Sequence, residues 1–211
     1  MDNFLDGLVA DLKPVRPRRP YFEALAIATL CCVELALWLA FNHARPNLLH
    51  IAQTTPTFWW KLASFGVIAV LGGGTAISSL NPAASPHRGL VWIAAAIVGY
   101  LAAGPFLGGR FDGLVLVQRL AWRDGLECLE MVVLLSTPVM ALLGLFMRNG
   151  ATTHRASTAL ACGIAAAAWA AFVWTFACDH DDPLYVAVWY TLACAISATL
   201  GRILLPLVSR W

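Results

Sequence analysis

Six apolar runs, each close to the roughly 20 residues a helix needs to cross the hydrocarbon of a bilayer, constrain this chain more than any other feature. They fall at about 22–43, 58–80, 90–109, 127–147, 156–178 and 184–205. Of the 211 residues, 60% are hydrophobic and 12% charged, whereas soluble domains carry about 25% charged residues. A water-soluble fold is therefore the wrong class. In hydrocarbon every backbone N–H and C=O must be satisfied internally, and a helix does this within one segment. The expectation is an all-α polytopic membrane protein of six transmembrane helices. Residues 21–211 form the membrane domain, preceded by a distinct segment at residues 1–20.

That first segment has its own logic. Phe4, Leu5, Leu8, Val9 and Leu12 fall on one face at helical spacing, while Asp2, Asp6, Asp11 and Lys13 avoid it. Asp2 or Asn3 can cap the start, and Pro14 stops the helix. About twelve residues make a marginal helix in water, so this one needs a surface, either a membrane interface or a groove on a protein. Residues 14–20 continue as an extended, basic, proline-rich linker. The segment does not read as a signal peptide, since acids precede the bases and no small-residue cleavage site follows an apolar core. Beyond its four cations there is no basic patch, and hence no nucleic-acid surface.

Cations orient the spans. With the N-terminus inside, nine Lys and Arg fall on the inner side, and five (Arg45, Lys61, Arg110, Arg119 and Arg123) on the outer. Both termini are then cytoplasmic. In the third run, Gly104 and Gly108 have the small-xxx-small spacing that lets helices approach, and Gly72-Gly73-Gly74 favours the same in the second.

Topology also sorts the cysteines. Cys31, Cys32, Cys162 and Cys194 lie within spans and read as small packing residues. Cys128 opens the fourth span and Cys178 closes the fifth, so two antiparallel helices bring both thiols out at one level, on the outer side. There oxidation is chemically permitted. Glu127 and Glu130 flank Cys128, while Asp179, His180, Asp181 and Asp182 follow Cys178. Two thiolates with the His180 imidazole would suit zinc, cadmium or another thiophilic ion, so Cys128, Cys178 and His180 are the candidate ligands of a transient heavy metal. No resident cofactor is expected. Asp182-Pro183 reads as a cap and first helical position launching the sixth span.

Glu34 is the other anomaly, because an ionisable group at mid-membrane costs at least ~2.5 kcal/mol. It reads as a protonated, hydrogen-bonded glutamic acid inside the bundle. Trp38, Trp59, Trp60, Trp92 and Trp189 read as an aromatic belt. No catalytic constellation emerges: no Ser/His/Asp grouping, no His-E-x-x-H and no C-x-x-C. The chain is not expected to be an enzyme. The alternative is a small membrane thiol oxidoreductase, or a metal or proton transporter using Glu34.

Two stretches carry a resemblance. Ala10-Asp11-Leu12-Lys13-Pro14-Val15, at the end of the N-terminal helix, resembles the opening segment of the NrsF-type anti-sigma factors, the negative regulators of sigma F. Cys178-Asp179-His180-Asp181-Asp182-Pro183, followed by Leu184 and Trp189-Tyr190, resembles that family's signature. Six spans over about 210 residues fit as well. The resemblance implies an inner-membrane protein whose cytoplasmic N-terminal segment (Phe4, Leu5, Leu8, Val9 and Leu12) holds an extracytoplasmic-function sigma factor inactive. It also implies release on a metal or oxidative signal through a cysteine pair, carried over to Cys178 and Cys128.

Overall fold

The computed structural model describes residues 19–41, 44–46, 48–107, 115–150 and 152–208. The N-terminal residues Phe4, Leu5, Leu8, Val9 and Leu12, together with Gly108, lie outside this range. Among the described residues there are helices and connections but no strand. The helices are α1 (Pro20–Ala40), short α2 (Leu48–Thr54), α3 (Pro56–Ser79), α4 (His87–Ala103, ending in a 3-10 turn at Gly104–Leu107), short α5 (Leu116–Leu120), α6 (Trp122–Asn149), α7 (Arg155–Trp174) and α8 (Pro183–Val208). Six segments are long and apolar enough to cross a membrane. Proline opens α1, α3 and α8 at a position where its missing N–H leaves no bond unmade.

The centre is α7, against which α3, α6 and α8 all pack. Its sequence explains the position. Eight alanines of α7, with Cys162 and Gly163, are buried, and such small side chains let backbones approach. A Cβ on Gly72 would sit 2.9 Å from the Ala165 Cα, so α3 and α7 are nearly in backbone contact there, while Gly73 and Gly74 face open space. Likewise a Cβ on Gly201 would lie 2.8 Å from the Gly163 Cα, fixing the α7–α8 crossing. Helix α1 is peripheral. None of its residues is fully buried, although Ile27, Leu30 and Cys31 edge the core around Ala76, Met147 and Ala166.

Successive long helices alternate in direction. The Arg45 amide donates to the Phe176 carbonyl at 3.0 Å, which puts the exit of α1 beside the exit of α7. At the other end the His87 and His154 rings lie 5.4 Å apart, joining the starts of α4 and α7. Residue 19 therefore enters the bundle at the end opposite Cys178, about 30 Å away along a 21-residue helix.

Two boundaries differ from those the sequence suggests. The fourth run extends back to Trp122, with α5 before it, and Arg119 and Asp124 of this stretch find partners in Asp182 and His180. The fifth helix stops at Trp174. There the Phe176 and Ala177 amides reach back only three residues, to Val173 and Trp174, tightening the last turn. Cys178 consequently lies in the α7–α8 connection rather than at the close of a helix.

Trp189 is also misread as a belt residue. It is buried, its indole N–H donates to the Leu120 carbonyl at 2.7 Å, and its ring meets Trp122 edge-on. Gly125 makes the room: a Cβ there would fall inside the indole.

Candidate functional site

The connection 175–182 opens on Thr175-Phe176-Ala177 and then carries Cys178-Asp179-His180-Asp181-Asp182. Four charges or dipoles at the edge of an apolar bundle require partners, and the residues after the thiol reach Arg45, α3, α5 and α6. Arg45 forms a fork: Nε donates to Asp179 at 2.9 Å, and Nη1 and Nη2 donate to the two Asp181 oxygens at 3.2 and 3.0 Å. Burial opposes the Arg45 charge, but the Asp181 and Asp179 carboxylates outweigh it and hold the guanidinium above its ordinary pKa.

Lys61, on the second turn of α3, is completely buried. Its Nζ donates to the His180 carbonyl at 2.9 Å, lies 3.4 Å from Asp181, and faces the Tyr190 ring at 5.5 Å. Arg119 of α5 makes a second fork onto Asp182, at 2.8 and 2.9 Å. The same Asp182 accepts from the Leu184 amide at 2.8 Å, with Pro183 at the first helical position of α8. His180 donates from Nε2 to Asp124 of α6 at 2.9 Å, and its ring stacks on Tyr185 at 4.3 Å.

Behind this frame lie the two thiols. Cys128 and Cys178 are both free and buried, in one core cluster with Tyr185, Trp189 and Tyr190. They line a shared cavity of about 340 Å³ with Asp124, Glu127, His180 and Tyr185. The Cys178 thiol is pushed below the ordinary thiol range, chiefly by the Cys128 thiol held against it; burial opposes this, and the Lys61 ammonium adds to the lowering. A thiolate with a thiol beside it can attack an electrophilic sulfur or capture a soft ion.

The His180 ring has partners of its own. It is committed to Asp124 and Tyr185, and what His180 turns toward Cys178 is its carbonyl, 4.0 Å from Sγ. Among the described residues no group of three or more His, Cys, Asp or Glu side chains is disposed to hold a metal ion. The set Cys128, Cys178 and His180 is thus not assembled here, and the two sulfurs stand as the soft donors.

Glu34 lies apart from this cavity. One oxygen accepts from the Trp169 indole N–H at 2.9 Å, and the other is buried without a bond. Sequence reasoning missed Arg45, Lys61, Arg119 and Asp124 as members of the site. A signal was available: three aspartates within four residues at one end of an apolar bundle demand cations, and three of the five cations that counting spans assigns to that end are the ones that answer.

Comparison with known proteins places these features in a family context. The family described as NrsF, negative regulator of sigma F, matches residues 8–211. The anti-sigma-F factor NrsF of Caulobacter vibrioides is 28% identical over 215 residues, spanning 95% of this chain and 94% of the relative. The probable anti-sigma-F factor NrsF of Azospira oryzae is 27% identical over 192 residues, spanning 89% and 88%. No solved structure matches.

Proposed function

Since this chain belongs to the NrsF family of negative regulators of sigma F, we propose that it is an inner-membrane anti-sigma factor whose N-terminal segment sequesters an extracytoplasmic-function sigma factor. The apolar face of Phe4, Leu5, Leu8, Val9 and Leu12 covers a groove on that partner, and both termini are cytoplasmic. The signal enters at the opposite end of the bundle, through Cys128 and Cys178.

The observation that carries this reading is the pair of free, adjoining thiols in one cavity at the far end from residue 19. Two events suit them. An external oxidant removes two electrons as both S–H bonds are lost and one S–S bond forms. Alternatively, a thiophilic ion displaces the thiol protons and bridges the two sulfurs. Either event ties α6 to the α7–α8 connection. A ligand moves such an equilibrium only through its different affinity for the two packings, and a bridged pair differs from an open one in just this way.

The test uses the full chain in native membranes with a sigma-F-dependent reporter. Leu8→Asp puts a charge on the apolar face and is expected to release the reporter with no fall in membrane abundance. Cys128→Ser and Cys178→Ser are expected to keep repression and lose the response to cadmium or diamide. Repression intact in Leu8→Asp would refute the sequestering role, and an unchanged response in both serine variants would refute the sensing role.

A further inference from the structure

Cys178 and residue 19, just before the start of α1, lie at opposite ends of the bundle, so an event at the thiols needs a physical route between them. The packing restricts the choices. The central helix α7 is locked on three sides, with glycine-mediated backbone contacts to α3 and α8. Helix α1 is the loosest of the long helices, with no fully buried residue, and it alone leads directly into residues 1–18. What it meets at the thiol end is Arg45, four residues past Phe41.

Arg45 is held by the thiol connection at four points. Its amide donates to the Phe176 carbonyl at 3.0 Å, its Nε to Asp179 at 2.9 Å, and its two terminal nitrogens to both oxygens of Asp181. The Arg45 side chain is 3% exposed and Asp181 16%, so the bidentate arm onto Asp181 is largely desolvated, whereas Asp179 is 80% exposed and its bond is screened by solvent. All three acceptor residues lie within three positions of Cys178. A bridge between Cys178 and Cys128 pulls the connection toward α6, and the fork must then either follow or break.

We propose that Arg45 is the positioning residue that couples the state of the thiol pair to α1, and through α1 to the sigma-binding segment. This inference rests on the anti-sigma reading above. Arg45 touches neither the thiols nor the sigma factor, and its role is to make α1 move with the Cys178 connection. Arginine suits the task because its planar fork fixes direction as well as distance, which a lysine at the same site does not.

The experiment measures sigma F affinity for the full-length protein in nanodiscs, with and without phenylarsine oxide, a reagent that bridges paired thiols. Uptake at Cys128 and Cys178 is followed by mass spectrometry. In the wild type the reagent is expected to weaken binding about 5- to 150-fold, the usual span of coupling between sites. Arg45→Met keeps the aliphatic stem and loses the fork. It is expected to bind sigma F normally and take up the reagent normally, yet to show less than about a twofold change in affinity.

Asp179→Ala with Asp181→Ala removes the acceptors instead of the donor and is expected to give the same uncoupling, which separates lost coupling from a local folding defect at Arg45. Arg45→Lys is expected to restore part of the response. If the wild type responds and both fork-breaking variants respond as fully, the Arg45 inference is wrong while the sensing reading stands. A wild type that takes up the reagent with no change in affinity overturns both.

Discussion

Gly125→Ala adds one methyl group at the start of α6, where its Cβ would fall inside the indole of Trp189. On an open helix face this substitution stabilises by about 0.8–1.0 kcal/mol through helix propensity. Here the indole has little freedom to yield. It is buried, donates to the Leu120 carbonyl at 2.7 Å and abuts Trp122. Forcing it aside costs ~1–3 kcal/mol in overpacking, and losing the Leu120 bond adds ~1–3 kcal/mol for a buried donor left unpaired. The net is a destabilisation of about 1–5 kcal/mol after the propensity gain is subtracted.

Gly73→Ala is the matched control. Nothing lies within 4 Å of its added Cβ, so it is expected to be neutral or slightly stabilising. Thermal unfolding of both variants in the same detergent gives the two signs. Because Cys128 sits one turn beyond Gly125, the displaced indole is also expected to slow phenylarsine oxide capture by the thiol pair. A Gly125→Ala protein at least as stable as the wild type would refute the packing assigned to the start of α6.

The thiol pair has a pH signature. With the Cys178 pKa lowered, its thiolate persists as pH falls through the range where an ordinary thiol, with a pKa of about 8.5, loses reactivity roughly tenfold per unit. N-ethylmaleimide labelling of Cys178, read by mass spectrometry between about pH 8 and pH 6.5, is therefore expected to be nearly flat. Removing the largest cause in Cys128→Ala is expected to raise that pKa and restore the steep decline, and Lys61→Met to do so in smaller part; a Cys128→Ala profile identical to the wild type's would remove the Cys128 contact from the account. Glu34→Gln keeps an acceptor for the Trp169 indole, and is expected to leave sigma F affinity and the thiol response unchanged, as measured by the nanodisc assay. Loss of function in Glu34→Gln would favour a proton-carrying role instead.

The long helices were legible because hydrocarbon thickness and backbone satisfaction leave few alternatives to a run of about 20 apolar residues. The shared level of Cys128 and Cys178 was legible for the same reason, since counting spans fixes the direction of each helix. The clamp around them was not. Arg45 and Asp181 are 136 residues apart, and Arg119 and Asp182 are 63 apart; which cation meets which carboxylate depends on how α3, α5 and α7 pack, and periodicity carries no such information.

Trp189 shows the same gap in reverse. Tryptophan near a span end fits a membrane interface by composition, yet the absent side chain of Gly125, 64 positions earlier, gives it an internal slot. The His180 ring pairs with Asp124, 56 residues earlier on the adjoining helix, a partner that nearness in sequence does not reveal.

The central claim is that the thiols and the gripping segment lie across a bilayer from one another, and sidedness can be measured directly. In intact cells, a membrane-impermeant maleimide applied from outside should label Cys178 in a Cys128→Ser background, while an epitope tag at the N-terminus stays protected from external protease. Cys178 labelled only after permeabilisation, or a tag cleaved from outside, would contradict the account.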